Sequence, residues 1–172
     1  MSETLRTILS AWDGKDTGEL EDLFEGERSN PVFLQALIGL CEIVDCQRGA
    51  TWLLKHHFDL KGAPLPEDLT RQHLGSLSTI THWEAKLHVL QYFERLQLAL
   101  VPQKELERFV KSGTRSDNKF VRAWAYYDLA VLALAYPELT SQVRNILTAA
   151  RDIETAGSVR VRIRKALEKL GE

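Results

Sequence analysis

Trp83-Glu84, Val121-Arg122 and Val159-Arg160 recur along this chain with a period of 38 residues. Each pair stands near the start of a helical pattern, and each is followed four residues later by an apolar residue, Leu87, Ala125 or Ile163. A period of this length fits one helical hairpin per repeat. One hairpin cannot bury its apolar stripe alone, so hairpins of this kind stack and share a continuous core. The segments 103–113 and 138–153, lying between the copies, supply the alternate helix of each pair.

Apolar periodicity extends the helical reading to the whole chain. Leu139, Val143, Ile146, Leu147, Ala150 and Ile153 follow one face of a helix opened by Pro137-Glu138. Similar stripes run through Leu106, Phe109 and Val110, and through Trp83, Leu87, Leu90 and Phe93, while no period-two strand pattern is present. The expected helices are 3–12, 17–25, 31–45, 47–58, 66–77, 82–98, 103–113, 118–136, 138–153 and 158–170. Asn30-Pro31 reads as an N-cap followed by proline at the first helical position, and Thr81 to Glu84 has the spacing of a capping box. The segment 60–67 reads as a loop. Two segments, Pro31–Val44 and Phe120–Tyr136, are apolar nearly all round and therefore predict helices packed on more than one side. The second is too short and too charged to cross a membrane.

Asp117-Asn-Lys-Phe-Val121-Arg122-Ala-Trp-Ala125 and Ser158-Val159-Arg160-Val-Arg-Ile163-Arg-Lys-Ala-Leu167 resemble the Asp/Asn…Val-Arg…Ala…Leu core of HEAT-type repeats. The resemblance covers about residues 80–170, with Asn30–Val44 as an earlier copy, and Glu84 departs from it by standing where the other copies carry Arg. It implies a right-handed α-solenoid of about five stacked antiparallel helix pairs, forming a single domain over residues 1–172. It also implies a binding surface, the usual use of HEAT-like repeats, which have a few enzymatic exceptions. The signatures of tetratricopeptide and ankyrin repeats are missing.

A chain of 172 residues suits one domain and can bury roughly 70% of its unfolded surface. The N-terminal stretch carries Glu3 and no long apolar run before Asp13, so it shows no secretory signal or anchor, and a cytoplasmic protein is expected. Cys41 and Cys46 are spaced for neither a disulfide framework nor a zinc site, and read as buried free thiols. Charge is uneven: residues 1–86 carry 8 basic and 14 acidic side chains, and residues 87–172 carry 14 and 10. This polarity favours an anionic partner at the C-terminal half. The sequence leaves open whether residues 1–28 pack on the stack or form a separate arm.

Sharing a repeat position, Glu84, Arg122 and Arg160 are expected to form a ladder whose Arg end can take an acidic peptide or phosphate. The competing reading has Glu84 capping its helix with Thr81 while the arginines pair with turn carboxylates such as Asp117. The run Arg160-Val-Arg162-Ile-Arg164-Lys165 is the densest basic cluster, with Arg160 and Arg164 expected to point outward and Arg162 a further outward candidate. Trp83, Trp124, Tyr126 and Tyr127 are stacking candidates, and Asp128 is the one acid inside the apolar segment. Together they allow a DNA-alkylation-glycosylase reading, against which Asp128 is a salt-bridged core residue and the aromatics are packing. Glu84 and His88 share a helix face without a third ligand, so no metal site is assigned, and nothing requires a cofactor. The function expected is a non-enzymatic protein-binding scaffold using Glu84, Arg122, Arg160, Arg164, Trp83 and Trp124. The alternative is nucleic-acid binding or repair through the basic C-terminal half.

Overall fold

Long apolar-periodic segments broken only by short polar turns leave the backbone one way to satisfy its own donors, and helix follows helix along the chain. The computed structural model describes residues 2–171, and no strand occurs among them. The helices are α1 (Ser2–Ala11), α2 (Gly18–Glu27), α3 (Phe33–Cys41), α4 (Gln47–Asp59), α5 (Glu67–Gly75), α6 (Trp83–Tyr92), α7 (Gln103–Gly113), α8 (Lys119–Ala135), α9 (Thr140–Ile153) and α10 (Gly157–Lys169). Eight of the ten match the expected segments to within two residues at each end. The third and sixth stop early, at Cys41 and Tyr92, and continue as single 3-10 turns over Val44–Cys46 and Phe93–Arg95. No Gly or Pro marks either break. The chain turns there because Cys46 and Phe93 are thereby fully buried.

Two start signals act differently from their sequence reading. Asn30 accepts from the Val32 amide through its side chain (3.2 Å) and from the Phe33 amide through its carbonyl (3.0 Å), making a turn two residues ahead of α3. At α6 the cap is His82, whose Nδ1 accepts from the Glu84 amide at 3.2 Å. Thr81 is otherwise engaged, its amide donating to Gln47 Oε1 at 3.0 Å, so the Thr81–Glu84 box does not form.

The described contacts gather into two units, Met1–Leu96 and Gln97–Glu172. In the first, α4 is the centre and packs against α1, α2, α3 and α6. Leu5, Leu9, Leu20 and Phe24 are at most 3% exposed, so α1 and α2 belong to this core and are not a separate arm. Gly49 permits the close approach of α1, since a Cβ there would lie 2.9 Å from a Leu9 methyl. The inner face of α4 also carries polar groups. Gln47, fully buried, donates to the Thr79 carbonyl (2.7 Å) and accepts from the Thr81 and His82 amides (3.0 and 3.2 Å), fastening the turn before α6.

In the second unit α8 is the centre, touching α7, α9 and α10. As its all-round apolarity predicts, it buries Val121, Ala123, Ala125, Leu129, Ala130, Val131, Leu132 and Ala133. Small side chains let α10 lie close along it, with Val159, Ile163, Ala166 and Leu167 inward. Asn118 caps α8 by accepting from the Phe120 amide at 2.9 Å. The Tyr136 hydroxyl at its far end donates to the Leu98 and Val101 carbonyls (2.8 and 3.2 Å), tying down the segment before α7.

Candidate functional site

The turn between α9 and α10 is locked by one ion pair. Arg122 on α8 donates through Nε and Nη2 to the Glu154 carboxylate at 3.2 and 3.3 Å, and through Nη1 to the Ser116 and Asp117 carbonyls at 2.9 and 3.0 Å. Glu154 also accepts from the Ala156 amide at 3.0 Å. The Arg122 guanidinium holds the Glu154 carboxyl below the usual carboxylate range, against the opposing effect of burial. With the turn fixed, the last turn of α9 and the outer side of α10 border a shallow, solvent-open cleft of about 590 Å3.

Its lining is basic and apolar together. Arg151 comes from α9; Gly157, Arg160, Val161, Arg164, Leu167 and Glu168 come from α10. On α10 the residues 157, 161, 164 and 168 follow one another at helical spacing, so the cleft runs along one side of that helix. Arg164 contacts Glu168 at 3.5 Å and Arg151 contacts the adjacent Asp152 at 3.6 Å, both pairs well exposed and therefore weak. Arg160 is exposed and makes no ion pair among the described residues. Val161 leaves 44% of its surface in solvent and Ile153, two residues beyond Arg151, leaves 78%.

The residues singled out from the sequence fall into separate settings. Arg160 and Arg164 come together, joined by Arg151, which the repeat spacing gave no reason to include. The signal for it was a basic residue in the last turn of one helix, three residues ahead of the short turn that leads into a basic helix. Arg122 is instead engaged by Glu154 and two carbonyls, with only the backbone of Asp117 taking part. Glu84, in the first unit, pairs with Arg48 at 3.3 Å, and Arg48 also donates to the Trp12 carbonyl (2.5 Å) while lying over the Trp12 ring. Trp124 on α8 carries the Arg162 guanidinium on its face, 3.6 Å from the ring centroid, and Tyr127 has Lys169 at 5.3 Å. Trp83 starts α6 with 45% of its surface exposed and stacks on His82, so the inward stripe of α6 is Ala85, Val89, Leu90 and Tyr92, continued by Phe93 in the following turn, and not one that begins at Trp83. Asp128 is fully buried and does not line the cleft.

Two imidazoles of the first unit are structural in setting. His73 is fully buried with Nε2 2.8 Å from the Tyr92 hydroxyl, and burial takes its pKa down to about 4. His88 Nδ1 lies 3.1 Å from Thr51 Oγ1, and burial again brings it to about 4, with Lys55 adding to the effect. Cys41 and Cys46 are buried free thiols, as expected. No group of three or more His, Cys, Asp or Glu side chains among the described residues is placed to hold a metal ion, and none of the described helices is long and apolar enough to cross a membrane. Compared with known proteins, the chain matches no family model, no curated protein and no solved structure.

Proposed function

We propose that this protein is a non-enzymatic binding module that docks an acidic segment of a partner protein in the α9–α10 cleft. The observation that carries this reading is the composition of the cleft: three arginines around the exposed apolar side chain of Val161, with only the edge of the largely buried Leu167 reaching the lining. Guanidinium groups pair with carboxylates in a planar fork, and an apolar wall adds contact area that a phosphate backbone does not use. Nucleic acid is the less favoured ligand, because Glu168 stands in the cleft and Arg162 already covers the Trp124 ring on which a base would stack.

The same reading treats the helices as HEAT-like repeats of a right-handed solenoid of about five pairs. Register supports it: Val121 and Val159 are both fully buried, and so are Ala125 and Ile163 four residues after each. On α6 the equivalent buried pair is Ala85 and Val89, two residues later than the sequence spacing places it.

Capture from a cell extract with the wild-type chain and with an R160E/R164E variant, each with and without nuclease, tests the function. The expected result is a protein retained by the wild type after nuclease and lost from the variant. Retention that is equal in both sinks the cleft as the docking site, and retention abolished by nuclease transfers the basic surface to nucleic acid.

A further inference from the structure

Resting on the reading of this cleft as a docking site for an acidic segment, we propose that its preferred ligand is a phosphomonoester, presented as a phosphoserine or phosphothreonine of the partner protein. Charge is the first argument. The lining gathers three cations, Arg151, Arg160 and Arg164, against one anion, Glu168, with the exposed Asp152 beside Arg151 outside the lining, and this positive surplus suits a phosphomonoester near neutral pH, which carries about −1.5 to −2. A single carboxylate would leave part of that surplus uncompensated.

Donor geometry is the second argument. The cationic lining is arginine without lysine, and each guanidinium offers a rigid fork of N–H donors to the tetrahedral face of a phosphate. Arg160 has no ion pair to give up among the described residues, and the contacts of Arg151 and Arg164 are long and exposed, so an incoming dianion displaces little. Arg122, by contrast, is closed to a ligand by its four hydrogen bonds.

Space is the third. At Gly157 a Cβ would meet nothing within 4 Å, so the entrance at the first turn of α10 is open. A cleft of about 590 Å3 falls within the range of ligand pockets and takes the modified side chain together with a flanking residue against Val161. Glu168, at the other end of this side of α10, opposes a second phosphate following the first, which favours a single phosphorylated residue over a continuous phosphodiester chain. Recognition of phosphorylated or acidic segments by arginine clusters is an established mode of peptide binding.

The test is fluorescence anisotropy with three labelled peptide pools of random flanking sequence, whose fixed central residue is phosphoserine, glutamate or serine. The full chain is titrated as wild type, R160E/R164E, E168Q and, as a control on the exposed side of α7, R108E, with far-UV circular dichroism verifying that each is folded. The phosphoserine pool is expected to bind roughly tenfold more tightly than the glutamate pool, and the serine pool most weakly. R160E/R164E should abolish the preference, R108E should leave it unchanged, and E168Q should tighten phosphoserine binding several-fold. If the glutamate pool binds as well as the phosphoserine pool and both are lost in R160E/R164E, the phosphate inference falls while the docking reading stands. If neither pool binds, or R160E/R164E changes nothing, both fall.

Discussion

Helix α4 brings Gln47 and Thr51 into the interior of the first unit, with His88 against Thr51, whereas α8 surrounds itself in the second unit with alanine, valine and leucine. Both are central helices, yet they are positioned by different forces. Directional hydrogen bonds fix what lies against α4, and the charged groups nearby are used up inside the unit, Glu84 on Arg48 and Arg48 on Trp12. Around α8 dispersion and burial of small side chains do most of the positioning, with Asp128 the one charged group buried along the helix, and the Arg122–Glu154 ion pair sets the turn that leads to α10. The consequence is that the second unit keeps Arg160 without an ion pair among the described residues and Arg151 and Arg164 in long, exposed pairs, and that is where the candidate site lies.

The sharpest way to break this contrast is to remove packing from α8. Leu132 is fully buried, and Leu132→Ala should cost the second unit about 2–5 kcal/mol, measured by chemical denaturation. A loss well below that range would mean that α8 does not hold its unit by packing.

Acid should separate the units next. All five histidines lie in the first unit, and His73 and His88 titrate at about 4 in the fold against 6.5 in an open chain. Between these values the unfolded chain binds more protons than the folded one. The stability they contribute is therefore complete above about pH 6.5 and is lost as pH falls toward about 4, by up to about 3 kcal/mol for each imidazole. Glu107 and Glu154 of the second unit are shifted down, by Lys111 and by Arg122, so their contribution is lost only at lower pH. Amide hydrogen exchange at about pH 5 and about pH 7, corrected for intrinsic rate, should show protection falling in residues 2–96 and holding in 97–171. An equal fall in both would refute the assignment.

Two substitutions compare the polar devices directly. Gln47→Ala strips the Thr79 carbonyl and two amides of their partner in the buried interior and should cost about 2–3 kcal/mol. Arg122→Ala, at a more exposed pair, should cost about 1–2 kcal/mol and raise the Glu154 pKa toward its ordinary value, visible by NMR titration of its carboxyl carbon. An Arg122 effect larger than that of Gln47 would reverse the contrast between the units.

Much of the fold was legible because helix formation is local. The apolar run over residues 120–136 announced a helix packed on more than one side, and α8 is packed by α7, α9 and α10, with its start fixed by an Asn118 cap that the sequence reading did not single out. At Pro31–Val44 the same rule also held, since α3 packs on α4 and α5; what it did not reveal is that the centre of the unit is α4, whose polar inner residues disguise it in any count of hydrophobicity. The site was half legible. Arg160 and Arg164 stood out as an exposed basic cluster, while Arg151 entered only through the turn that folds α9 against α10. Shared repeat position did not bring the expected ladder its common role, because position in a repeat does not specify which carboxylate a side chain will find.

By itself the sequence determined that the chain is all-helical, where nearly every helix begins and ends, which faces are apolar, and that positive charge concentrates toward the C-terminal end. These depend on periodicity and capping within a few residues. Only the tertiary structure decided which charges are spent and which remain available, since an ion pair such as Arg122 with Glu154 or Arg48 with Glu84 joins residues more than thirty positions apart, and side-chain partners at that separation are chosen by packing and not by local pattern.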